Sequence, residues 1–230
     1  AFELGLEQIL SLYAYSKREQ AHDHLSKGGF VFDNSITKHK VKKETIDAKT
    51  GKKQKKSVLE YQVNTASAHP LSPEMLAEIV GELTAEQKAF VNEMQDYLSE
   101  VMGAKGNEVS MAMYDVKLFK EKSYFPLKSA KQFMFEQNEV AGEVKIKNSG
   151  FTNKATPGAN NPVILNNFMD VWAGHIHDMS MYHAFVLPVE DFNRVFNGKI
   201  KVPEGQQERL VSVKETIQNA YGREATDYLR

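Results

Sequence analysis

Apolar residues recur at helical spacing from the first residues of the chain. Glu3–Ser26 is helical in pattern: Phe2 just before it and Leu6, Ile9, Leu12, Tyr13 and Ser16 fall on one face, and Lys27-Gly28-Gly29 supplies a stop. That face turns polar as it runs on into Gln20 and His24. The pattern then changes period. Ser57–Val63 reads as a strand, Thr37–Val41 as its partner, and Asp47–Lys52 as the turn between them, so residues 36–63 form a β-hairpin inserted between helices.

Helical spacing returns after Pro70. Ser72 with Pro73 at the first helical position opens a helix to about Val80. Thr84 and Gln87 form a capping box for a helix carrying Phe90, Val91, Met94, Leu98 and Met102, which ends at Gly103. Asn107 is expected to cap the next helix, and Pro126 breaks the pattern. Beyond it the spacing predicts a short helix over Gln132–Val140, a strand at Glu143–Ile146 and a loop over Asn148–Asn161. Asn161 and Pro162 then start a long helix to about Phe185. Shorter helices are expected at Glu190–Phe196 and from about Glu204 through Leu210, Val213 and Ile217. These elements predict a mainly α (α+β) fold: one helical domain over residues 1–230 with a protruding lysine-rich β-hairpin.

Composition narrows the classes without naming a reaction. With 230 residues, 41% hydrophobic, 26% charged and no cysteine, the chain is neither collagen-like nor a disulfide scaffold. The longest uncharged apolar-leaning run, Asn160–Met169, is too short and too rich in asparagine to span a bilayer, so no membrane partner is expected. The chain begins at Ala1 with no signal-peptide pattern, and its last residues read as an uncapped helix. The expectation is a piece excised from a longer protein of the cytoplasm.

Charge is segregated. Residues 38–56 hold nine lysines against Glu44 and Asp47, a local +7 within a chain of net −1, which leaves −8 elsewhere. Lys49, Lys52, Lys53, Lys55 and Lys56 crowd the tip of the hairpin. A basic two-stranded ribbon fits a major groove and releases counterions from each phosphate it neutralises. It also lacks arginine and aromatics, so contact with DNA or RNA would be independent of sequence. The competing reading is an exposed hairpin whose lysines block edge-to-edge aggregation.

Catalytic and metal chemistry find little purchase. His175 and His183 share one helix face but lie eight residues apart, roughly 12 Å along the axis at 1.5 Å per residue, too far to meet at one zinc. His177 lies nearly opposite, and the rings of His22 and His24 diverge by about 160° on a helix. There is no cysteine, no G-x-S-x-G elbow, and no glycine-rich phosphate cradle, so neither a metal nor another cofactor is expected.

Several segments resemble the large polyvalent proteins of phages and conjugative elements. They are Ser11–Ala21 with His24 and Gly28-Gly29, Gly106–Ser110 leading to Tyr124-Phe125-Pro126, and Gly150-Phe151-Thr152 with the helix around Asp170, His175, Met179, Tyr182 and Ala184. The resemblance implies a module strung with others in a long chain that acts on the element's DNA in the host cytoplasm. It carries over no catalytic residues. Tyr13, Arg18, Gln20, His24 and His175 recur in it and are either a candidate pocket or a shared polar core. The leading expectation is therefore a non-catalytic accessory module whose partners are neighbouring domains of the same polyprotein and DNA or RNA. The alternatives are a hydrolytic enzyme with a histidine-lined pocket and a structural spacer between domains.

Overall fold

A computed structural model describes residues 3–46, 53–131, 133–134, 161–204 and 207–229. The chain is mainly helical with small two-stranded sheets, an α+β arrangement in which the expected hairpin is present. The turn at 47–52 with Lys49 and Lys52, the strand at 143–146 and the loop from 148 to 160 lie outside the described residues, as does most of the helix expected over 132–140.

Helix α1 (Leu6–Ser16) buries Leu10, Ser11, Leu12, Ala14 and Tyr15 on its inner face. It does not continue to Ser26 as its periodicity suggests. Arg18 is extended (φ −113°, ψ 116°), and its Nη1 donates to the Phe125 carbonyl at 3.0 Å while the guanidinium lies 5.3 Å from the Tyr124 ring centre. These long-range bonds replace one turn of helix. Helix α2 (Glu19–Asp23) follows, then a wide π-type turn at His24–Gly28. Gly29 then takes φ +75°, and a Cβ there would stand 2.6 Å from the His69 backbone, so glycine is required for the close crossing. That crossing is sealed by reciprocal Phe30–His69 backbone hydrogen bonds of 3.0 and 2.8 Å.

Strand β1 (Phe30–Val31) pairs in parallel with β4 (Val163–Ile164), both fully buried. This pairing corrects the reading of Asn161-Pro162 as a helix start. Val163, Ile164 and Leu165 are extended in the core, and the long helix α6 (Phe168–Asn197) begins instead at Asn167, whose side chain accepts from the Met169 and Asp170 amides. The helix also runs through Pro188 and absorbs the separate element expected at Glu190–Phe196. Pro188 and Ala184 are both exposed, so water can satisfy the carbonyl that the proline leaves without a donor.

Strands β2 (Ile36–Ile46) and β3 (Lys53–Val63) form the antiparallel ribbon, with ends close to the predicted 36–63. Helices α3 (Pro73–Gly81) and α4 (Ala85–Asp96) start where the caps indicate. Ser72 Oγ accepts from the Met75 amide at 3.2 Å, and Thr84 and Gln87 exchange bonds of 2.8 and 3.3 Å. α4 passes through a π-type turn at Tyr97–Met102 directly into α5 (Gly103–Tyr114), so the helical run does not stop at Gly103 and Asn107 does not cap a new helix. Asn107 faces a different task. Its Nδ2 donates to the Phe119 carbonyl at 2.8 Å and its Oδ1 accepts the Phe119 amide at 3.0 Å, clamping the following segment to the helix.

The C-terminal region corrects the helix expected from Glu204. Strands β5 (Lys199–Glu204) and β6 (Gln207–Ser212) pair first, and α7 (Val213–Tyr221) starts at a Ser212–Glu215 capping box. The core gathers Leu12, Tyr15, Leu25, Phe30, Phe125 and Phe168, with the Phe125 and Phe168 rings stacked at 4.8 Å. Among the described residues no helix is long and apolar enough to cross a membrane.

Candidate functional site

The ribbon is anchored at its root. Val63 is buried against Val31, Ala130 and Ile164, Tyr61 meets Phe133 edge-on at 5.8 Å, and the Asn64 amide bonds the Ser35 carbonyl at 2.9 Å. Eleven residues per strand carry the ribbon about 35 Å from its root to the strand ends at about 3.3 Å per residue. Along that length Lys38, Lys40, Lys42, Lys53, Lys55 and Leu59 are exposed.

The register decides how these lysines are arranged. Ile36 opposes Val63, so Lys38, Lys40 and Lys42 stand opposite Tyr61, Leu59 and Ser57, and Lys55 and Lys53 oppose Glu44 and Ile46. Directly opposed residues share a face and alternate residues return to it, so Lys38, Lys40, Lys42, Lys53 and Lys55 all belong to one face. Successive lysines along β2 are about 6.7 Å apart. Lys38 lies over the Tyr61 ring at 5.4 Å, which ties the first of them to the root. Lys56 opposes Lys43 and belongs to the other face by register.

Of the residues of the sequence-derived pocket, the described side chains of Tyr13, Arg18 and His24 do not join His175 in lining one space. Tyr13 is on the α4 side of α1, where its hydroxyl donates to Asn92 Oδ1 at 3.3 Å. Lys17 covers the Tyr13 ring and binds Asn92 and Gln95. Gln20 lies in α2. His24 is buried with Nδ1 3.3 Å from the Asn161 carbonyl. Arg18 and His175 both meet the Tyr124 ring, with the guanidinium 5.3 Å and the imidazole 5.1 Å from its centre. Burial pushes the Tyr124 phenol up to about 12.

His175 is the member of that set that lines a cleft, a space of about 360 Å3 between the ribbon root, the segment around Lys128 and the first turns of α6. Burial first, and the Lys128 ammonium second, push His175 down to about 4, so it is neutral at physiological pH. Asp33, Asp170 and Asp178 also line this space. The Asp33 carboxyl is raised from its ordinary value by partial desolvation and by the nearby charge of Asp170. Sequence patterns missed Asp33, Asn166 and Lys128, which come together from distant segments. Asp170 carried one local signal, a carboxylate three residues after the Asn167 cap.

The remaining histidines are placed apart. His183 bonds Glu108 Oε2 at 2.9 Å on the surface, and His177 is exposed. Among the described residues no group of three or more His, Asp or Glu side chains is placed to hold a metal ion. Comparison of the chain with protein-family models, with curated proteins and with solved structures finds no match.

Proposed function

We propose that this chain is a non-catalytic interaction module of a multi-domain phage or mobile-element protein, and that it engages DNA or RNA through one face of the β2–β3 ribbon. The observation that carries the reading is the strand register, which collects the exposed Lys38, Lys40, Lys42, Lys53 and Lys55 on one face beyond its packed root. Their spacing of about 6.7 Å along β2 lets neighbouring ammonium groups address neighbouring phosphates rather than one. Glu44, opposite Lys55, is the acidic residue of that face by register. Lysine provides charge without bidentate base contacts, so the binding is independent of sequence. The phage setting rests on the resemblance of the segments around Ser11–Ala21 and Tyr124–Pro126 to polyvalent proteins.

Docking to neighbouring domains of the same polyprotein has a separate support. Phe192, Val195, Ile200 and Leu210 are exposed around the C-terminal end of α6 and the β5–β6 hairpin. The hydrolytic alternative has weaker support, because Tyr13, Arg18 and His24 do not join His175 in the cleft. Fluorescence anisotropy with a labelled random-sequence duplex at low salt tests the ribbon. Replacing the five lysines of the face by glutamine is expected to remove most of the affinity, and replacing Lys43 and Lys56 to remove less. Equal losses from both variants, or no binding by the unaltered chain, would overturn the proposal.

A further inference from the structure

Over its second half α6 turns an apolar stripe to solvent. Met181, Phe185, Pro188, Phe192 and Val195 follow at alternating steps of four and three residues, the spacing of a helix–helix seam. At 100° per residue they fall within an arc of about 80°, and the stripe runs for about 21 Å at 1.5 Å per residue. Met179, Tyr182 and Val186 hold another side of the same helix in the core. Pro188 is exposed, and the other four stand between 42% and 68% exposed, where a surface helix ordinarily shows polar residues.

Two properties of the stripe say what covers it. Its order reads the same in both directions about Pro188: a phenylalanine stands on either side, and an aliphatic side chain, Met181 or Val195, stands beyond each. A two-fold contact has this property, because residue i of one copy meets residue j of the other and j meets i. The stripe also ends in opposite charges. Asp178 lies three residues before Met181, and Lys199 lies four beyond Val195, just past the helix; both are exposed. Among the described residues neither has an ion pair.

We infer that this stripe is the contact between two copies of the chain, their α6 helices antiparallel about a two-fold axis at Pro188. Met181 then meets Val195 of the second copy, and Phe185 meets its Phe192. Asp178 and Lys199 pair across both ends, whereas a parallel arrangement would set like charges together. Asp191, beside the stripe, faces Ala184 of the second copy and so meets no like charge. A neighbouring domain seated here would require neither the symmetric order nor the opposite ends. Ile200 and Leu210 lie off the stripe and stay open to such domains. The contact does not rest on nucleic-acid binding, since the lysine face is on a different element.

Sedimentation equilibrium of the whole chain, without nucleic acid and up to about 1 mM, tests the contact. A reversible monomer–dimer equilibrium is expected. Phe185→Glu should raise its dissociation constant at least about tenfold and leave the circular dichroism of the monomer unchanged, because the ring is exposed. Lys199→Asp should weaken the dimer, and adding Asp178→Lys to the same chain should restore it. Orientation is read by cross-linking, which the absence of cysteine makes clean. Met181→Cys chains mixed with Val195→Cys chains should join through a short bismaleimide. Either variant alone should not, because like positions stand about 21 Å apart in the antiparallel pair. A monomer or a larger assembly at every concentration, a dimer indifferent to Phe185→Glu, or cross-linking of either variant with itself would overturn the inference.

Discussion

The ribbon and the helical body use their residues in opposite ways. Of the eleven residues of α1, five are buried, and the rings of Tyr15, Phe125 and Phe168 pack in contact at its inner face. Along β2 and β3 the described side chains include one that is buried, Val63, and Lys38, Lys40, Lys42, Lys53 and Lys55 are exposed. A two-stranded ribbon of this length gains little from its own backbone pairing, since isolated hairpins are at best marginally stable. Its stability is borrowed from the root, where Val63, Ile36 and Tyr61 meet Ala130, Phe133 and Ile164. The comparison teaches that the positions most free to carry charge are those that contribute least to folding.

The largest test of that division lies in the core. Phe168→Ala removes a ring that is fully buried and stacked on Phe125, and is expected to cost about 3–5 kcal/mol by denaturant unfolding. A loss below about 1 kcal/mol would mean that the core is not organised around this stack.

Acid unfolding is the next. His175 is pushed from its ordinary 6.5 down to about 4 by burial and by Lys128, so the unfolded chain takes up a proton at this residue before the folded one does. Its contribution is present above pH 6.5 and is lost as pH falls toward 4, about 3 kcal/mol in all at 1.36 kcal/mol per pKa unit. His175→Leu should flatten the stability profile across that window. An unchanged profile would show that the imidazole is not held neutral by the fold.

The smallest effect is expected on the ribbon. Replacing Lys38, Lys40, Lys42, Lys53 and Lys55 by glutamine should shift stability by no more than about 0.5 kcal/mol per site, because all five are exposed. A cooperative loss of several kcal/mol would blur the contrast between the two regions, and would mean that the lysines hold the ribbon together rather than face outward.

Much of the architecture was legible because it is written locally. The Ser72-Pro73 start, the Thr84–Gln87 box and the limits of the 36–63 hairpin depend on neighbours within a few residues, and each was read correctly. The departures share a different cause. α1 breaks at Arg18 because Phe125 and Tyr124 hold its guanidinium, and the segment after Asn161 is a strand because Phe30 and Val31 pair with it. Neither partner is near in sequence. The resemblance that groups Tyr13, Arg18, Gln20, His24 and His175 leaves open a pocket or a polar core, and it does not say that Tyr13 turns toward α4 while His175 lines the cleft with Lys128. The lysine face was half visible. Lys38, Lys40 and Lys42 alternate plainly in the sequence, but only the register joins them to Lys53 and Lys55.

The register gathers five ammonium groups on one face of the ribbon, the face proposed to meet a phosphate backbone. The most direct measurement is the slope of log affinity against log salt for a random-sequence duplex. At about 0.9 counterions released per phosphate neutralised, the slope should lie near −4 to −5 for the unaltered chain and rise by about one for each lysine replaced by glutamine. A slope near zero, or one that these replacements leave unchanged, would contradict the account.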